Sequence, residues 1–190
     1  SFPNPPSPIS LPNLITSDTI YLRSNLAGRS TSGGSNSFSL IVNGSTIGTQ
    51  NFSSVGTSVQ DNYLSTLPLN RNFLSNSSIL DLKFTLNSID PNVQGWLNNY
   101  EINFRRNLNA ANMGSQFSFR DKGSVGAGNI SEFSISNTIN NYSVWDITNP
   151  INVIQQEIIT NSNVTSFRVA TDQLHEFIAF KDQILKALGF

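Results

Sequence analysis

QGWLNNYEINFRR, Gln94–Arg106, sets Trp96, Tyr100, Ile102 and Phe104 at even spacing, with Glu101 between Tyr100 and Ile102 and two arginines at the end. A period of two is the signature of a strand whose side chains alternate between two faces. On that reading the aromatic and aliphatic residues form one face and Glu101 and Arg105 the other. A continuous apolar face of this kind is more often sandwich core than binding strip. Trp96 and Tyr100 are accordingly expected inside, and Arg105 and Arg106, being adjacent, on opposite sides of the sheet.

The same period recurs on both sides of this stretch. TIYLRSNLA, SFSLIVNGSTIGTQNF and SILDLKFTLN precede it; SQFSFRDK, ISEFSISN, YSVWDITNP, SFRVATD and LHEFIAFK follow. Leu80, Leu82, Phe84 and Leu86 alternate with Asp81, Lys83 and Thr85, the pattern of a half-buried antiparallel strand. Asn43-Gly44 between two apolar runs predicts a tight hairpin, because both residues tolerate positive φ. Many short strands separated by Gly, Asn and Ser predict an all-β sandwich of jelly-roll or Greek-key type. The reading divides the chain into a Pro-rich linker (1–12), a sandwich (13–108), a second antiparallel β region (109–181) and a short helical or frayed tail (182–190).

Composition removes several classes of function. The 190 residues carry 12% charged side chains and a formal net charge of −1, which argues against a nucleic-acid partner. No run reaches the roughly 18 apolar residues of a membrane-spanning helix. With no cysteine and a single histidine, His175, thiol nucleophiles, disulfides and multi-histidine metal sites are excluded within these residues.

The chemical candidates that remain each have a structural alternative. His175 neighbours Asp172 and Glu176, but without a nucleophile elbow a structural histidine is the better reading. Glu101 with Asp81 or Asp90 has the composition of a glycosidase pair, which needs carboxyls about 5–10 Å apart; a lone strand glutamate is more often solvated. Trp96, Tyr100, Tyr142 and Trp145 are the aromatic candidates for stacking on sugar, which makes a carbohydrate-binding module the alternative function. Asp90, Asn92, Asp146 and Asn149 are oxygen donors for a structural calcium, in contexts that turn residues also fill unaided. No cofactor is expected otherwise.

FPNPPSPISLPNLITSDTIYLRSNLAGRS, NSFSLIVNGSTIGT, QGWLNNYEINFRRNL, SQFSFRDKGSVGAGNISEFSISN, YSVWDITNP and LHEFIAF, in that order, resemble the region before the peptidase domain of the type IX secretion system sortase (PorU) family of Bacteroidetes. Trp96, Leu97, Tyr100 and Glu101 match the family's Trp-Leu-Asp-Tyr-Ile-Glu strand, with Asn98 where Asp is usual. Trp145 and Asp146 match its Val-Trp-Asp segment, and Glu176 to Phe180 its strand leading to the peptidase domain. The signature residues, Trp96, Tyr100, Glu101, Trp145, Asp146 and Phe177, are expected to be structural. The resemblance implies that QGWLNNYEINFRR closes a jelly-roll-like sandwich, with Trp96 anchoring one end. It implies a noncatalytic accessory region of an extracellular, outer-membrane-surface protein whose gingipain-like cysteine peptidase domain lies downstream. That family removes the C-terminal signal domain of secreted cargo, transfers the cargo to anionic lipopolysaccharide, and works with outer-membrane secretion components. Its catalytic Cys and His fall beyond this region, so no catalytic residue carries over, and KDQILKALGF departs from its pattern.

Overall fold

A computed structural model describes Pro5, residues 8–139 and residues 142–181. The chain divides into two compact units, Ser1–Arg106 and Asn107–Phe190. The expected tail at 182–190 lies outside the described residues.

The first unit contains β1 (Ile9–Ser10), β2 (Ile20–Arg29), β3 (Asn36–Val42), β4 (Ser45–Phe52), β5 (Ser65–Phe73), β6 (Ile79–Leu80), β7 (Leu82–Asn87) and β8 (Gln94–Asn103). Two antiparallel sheets, β5-β2-β8 and β4-β3-β7, hold the six long strands, and β1 pairs with β6. The chain runs out through β2 and β3, back through β4 and β5, and back again through β7 and β8. Each return places one strand beside β2 and one beside β3, the nested winding of a jelly-roll-like Greek key. Ile20, Leu22, Leu26 and Leu69 of one sheet and Phe38, Leu40, Val42, Phe52, Leu82 and Phe84 of the other share a single apolar core.

Local sequence explains most of these elements. β2 and β3 bury every second residue, as their alternation requires. Asn43 and Gly44 have φ of 49° and 80°, the type I′ turn that the Asn-Gly pair predicts. The Asn43 side chain then accepts a hydrogen bond from the Asp81 backbone N–H at 2.8 Å, which ties the hairpin to the start of β7. β5, STLPLNRNF, stands outside the runs expected from sequence; Pro68 interrupts its pattern. As an edge strand it accommodates a residue that cannot donate to the ladder.

The Pro-rich opening is not a free linker throughout. Ile9 and Ser10 pair with Leu80 and Ile79, and Leu11, 2% exposed, enters the core while its N–H donates to the Ser78 carbonyl at 2.7 Å. Two apolar side chains so close to the prolines find more stabilisation in the sandwich than the segment loses by ordering.

The second unit comprises β9 (Gln116–Phe119), β10 (Ile130–Ser136), β11 (Tyr142–Asp146), β12 (Ile154–Gln155), β13 (Ile159–Asn161), β14 (Val164–Ala170) and β15 (Phe177–Lys181). They form the antiparallel sheets β10-β14-β13 and β12-β11-β15-β9. The core is aromatic: the Phe119 ring lies 5.4 Å from Phe177, 5.8 Å from Phe133 and 6.3 Å from Phe167, with Ile135, Tyr142, Val144 and Ala179 around them. Short strands offer few inward positions, and large rings fill the space those positions leave.

Gly28 marks the closest approach in the first core. A Cβ there would sit 2.6 Å from the Phe52 ring, which itself stacks on Phe38 at 5.2 Å. Gly28→Ala is expected to displace Phe52 and destabilise the first unit by about 1–3 kcal/mol, read as a lower urea midpoint at unchanged slope.

Candidate functional site

β8 does not keep one phase along its length. Asn25 pairs with Asn99 but the next residue, Leu26, pairs with Leu97, so Asn98 is an extra residue bulged out of the ladder. Beyond the bulge Tyr100 and Ile102 lie opposite the inward-facing Ser24 and Leu22 and pack on the core. Before it Leu97, opposite Leu26, takes the inward place, and Trp96 lies opposite Ala27 on the outer face, 37% exposed. The expectation that Trp96 shares the core face with Tyr100 is therefore corrected: one inserted residue reverses which side chains face in. The bulge also accounts for two consecutive exposed asparagines, Asn98 and Asn99, within a strand.

The outer face of β5-β2-β8 is rich in amides. Asn25 donates from Nδ2 to Oδ1 of Asn99 at 2.8 Å, and Asn70, Asn72 and Asn103 belong to the same two edge strands. On the same face a cleft of about 410 Å³ is lined by Asn25, Leu26, Ala27, Leu64, Thr66, Pro68 and Asn98; Trp96 lies opposite Ala27 in the ladder and outside that lining. One rung further along, Arg29 follows Ala27 on the same face and holds its guanidinium 4.6 Å from the centre of the exposed Tyr63 ring. Arg29 Nε is buried and has no hydrogen-bond partner among the described residues.

The fold keeps the candidate carboxylates apart. Glu101 is exposed and lies opposite Arg23 on the outer face of one sheet, whereas Asp81 precedes β7 in the other. Asp90 is buried in the loop before β8 and turns its oxygens to donors: Ser30 Oγ at 2.6 Å, the N–H groups of Thr31 and Ser32, and the Asn92 N–H at 2.8 Å. The Ser30 hydroxyl and these N–H groups hold its pKa at about 2 despite burial. Arg105 reaches Asp18 at 3.5 Å, an exposed contact of little energy.

In the second unit β11 buries residues on both faces. Tyr142 and Val144 join the aromatic core; Trp145 turns the other way and meets Phe180 edge-on at 5.1 Å. Neither Tyr142, 1% exposed, nor the half-buried Trp145 presents an open ring for a ligand. Asp146 ends β11 and accepts from the Thr148 N–H at 2.9 Å, while its other oxygen lies 2.6 Å from His175 Nδ1. Burial raises the Asp146 pKa, but the Thr148 hydroxyl and N–H and the His175 ring outweigh it, and the net shift is downward. His175 stacks on Phe177 at 5.9 Å. Its partner is thus neither Asp172 nor Glu176; Glu176 instead pairs with Arg120.

An aspartate orienting a histidine is two-thirds of a nucleophile triad. Among the described residues no hydroxyl hydrogen-bonds the other ring nitrogen; the contact itself links the end of β11 to the residues just before β15. Spacing in the sequence could not reveal it, since 29 residues separate the partners. Among the described residues no group of three His, Cys, Asp or Glu is placed to hold a metal ion. Of the calcium candidates, Asp90 accepts hydrogen bonds on both oxygens, and Asp146 accepts from the Thr148 N–H and lies against His175. No helix among the described residues is long and apolar enough to cross a membrane.

No family model matches the chain, and no curated protein matches it. The chain is similar in structure to dimeric latent PorU from Porphyromonas gingivalis, with a TM-score of 0.76 and 19% identity over 93% of this chain and 17% of that one. At this identity the likeness establishes the fold, and the chain spans only that 17% of the neighbour's length.

Asp146→Ala should leave His175 and the Thr148 N–H without their acceptor and destabilise the second unit by about 1–3 kcal/mol in thermal or urea unfolding. Asp146 is a lowered carboxylate, so its contribution is full above the ordinary aspartate range and declines as pH falls below it. Asp90 gives a sharper test. Because its pKa falls from 3.8 to about 2, the stability difference between the wild type and Asp90→Asn should be largest above pH 4 and narrow as the pH approaches 2. Urea midpoints measured from pH 6 to 2 check it.

Proposed function

We propose that this chain is the noncatalytic accessory β-sandwich region of a PorU-like cell-surface cysteine peptidase or sortase of the type IX secretion system. In this reading the two units buttress a gingipain-like peptidase domain further along the same protein, or position cargo carrying a C-terminal signal domain against it. Outer-membrane secretion components are the further partners. The observation that carries the reading is an agreement between motifs and fold: the ordered motifs of the chain resemble the region before the peptidase domain of that family, and the fold of nearly the whole chain overlays a part of latent PorU.

The chemistry of the chain supports a role without catalysis. It has no cysteine. Four of its six signature residues serve packing and bracing, Tyr100 on the first core, Phe177 in the second, Trp145 on Phe180 and Asp146 with His175, while Trp96 and Glu101 lie on the outer face. A scaffold of this kind requires rigidity, and aromatic cores with hydrogen-bonded loop ends provide it.

Reading the encoding gene beyond Phe190, with peptidolysis assays on the 190-residue chain, tests the proposal. The expected result is a downstream domain carrying a His and Cys pair, with no hydrolysis of peptide substrates by the chain alone. Hydrolysis by the chain itself, or a gene whose downstream region encodes a glycosidase, would overturn it.

A further inference from the structure

We infer that the outer face of β5-β2-β8 around Trp96 is a binding site for a neutral saccharide chain, with the Trp96 indole as stacking platform and the amides of Asn25, Asn98 and Asn99 as partners for ring hydroxyls. This goes beyond the accessory role and does not depend on it.

Three features of the face point to that chemistry. The first is the bulge. A single extra residue at Asn98 takes Trp96 out of the core and sets it, 37% exposed, on the outer face opposite the small side chain of Ala27. Bulges commonly re-aim a side chain beside a functional surface. A tryptophan so placed presents a broad apolar plane, the counterpart of the C–H face of a pyranose ring.

The second is the polar set around the platform. The Asn25–Asn99 hydrogen bond uses one amide N–H and one carbonyl, leaving the Asn25 Oδ1 and the Asn99 Nδ2 for other partners. Asn98 projects at the bulge and lines the cleft of about 410 Å³. Amides both donate and accept, which matches vicinal hydroxyls that do the same. Charge on the face is sparse: Arg23 faces Glu101 across the ladder, and the Arg29 guanidinium, which keeps its charge, lies over Tyr63.

The third is extent. Tyr63, exposed and just before β5, has one face of its ring taken by the Arg29 guanidinium, and the cleft lined by Ala27, Leu64, Thr66 and Pro68 lies on the same face as Trp96. A platform with a cleft further across the sheet fits several linked sugar units better than one monosaccharide.

Titration of the 190-residue chain with soluble neutral polysaccharides (mannan, glucan and galactan) and one anionic polysaccharide (alginate), by affinity electrophoresis and tryptophan fluorescence, tests the inference. A neutral polymer should retard the protein and shift the Trp96 emission. Trp96→Ala should weaken binding by about tenfold or more and Trp96→Phe by less, both with unchanged circular dichroism, while Tyr63→Ala causes a smaller loss. Four outcomes would overturn it: no retardation by any neutral polymer, binding to alginate alone, binding undiminished in Trp96→Ala, or sedimentation showing that Trp96 instead joins two copies of the chain. A catalytic domain absent from the gene would sink the accessory reading and leave this result standing.

Discussion

Register is the constraint on which both units depend. Each sheet buries one face, so a slip of a single residue would turn a whole strand's apolar set to water. With only 12% charged residues, complementary charge does little to specify pairing here. Hydrogen-bonded turns take over that task. The Asn43-Gly44 turn fixes β3 against β4 and, through the Asn43 amide, reaches the strand beyond. Asp90 gathers donors from the loop after β2 and the loop before β8, and Asp146 ties the end of β11 to the residue two before β15. In each case a short polar side chain, exposed at Asn43 and buried at Asp90 and Asp146, favours one of two neighbouring registers.

The two cores meet the same need with different side chains. β2 and β8 are each ten residues long, and the first core is built mainly from Leu and Ile with phenylalanines between the sheets. The described strands of the second unit run to seven residues at most, and rings crowd around Phe119. Fewer inward positions are filled with larger groups, and a buried ring removes more apolar area from water per position than an aliphatic chain does.

What the sequence discloses follows from the range of the forces involved. Alternation in SILDLKFTLN, the Asn-Gly hairpin and the Phe117/Phe119 and Phe133/Ile135 pairs depend on neighbours two residues apart, and all are readable. β5 is hidden because Pro68 breaks its pattern, and only its position at a sheet edge makes the proline acceptable. β1 hides among prolines, because its partner β6 lies far along the chain. Trp96 is misassigned by periodicity, since the phase change at Asn98 exists only in the ladder between β8 and β2. Asn98 and Asn99, two polar residues in succession within an apolar-alternating strand, are the one local sign of it. The Asp146–His175 brace has no local sign at all.

The two carboxylates with altered acidity also bear on what kind of surface this is. Asp90 and Asp146 are both shifted downward by donors aimed at them, so both are firmly charged near neutrality; a catalytic acid would require the opposite, a carboxyl raised by burial. Their electrostatics belong to folding. The outer face of β5-β2-β8 differs in that it gives something up. Complete burial of a large apolar side chain is worth about 1.5–3 kcal/mol, and the bulge forgoes part of that by turning Trp96 outward. Leu97 fills the inward place, so packing of the core does not by itself require the indole outside. The indole is left on the same outer face as a row of amides, and that placement is what the inferred saccharide site rests on.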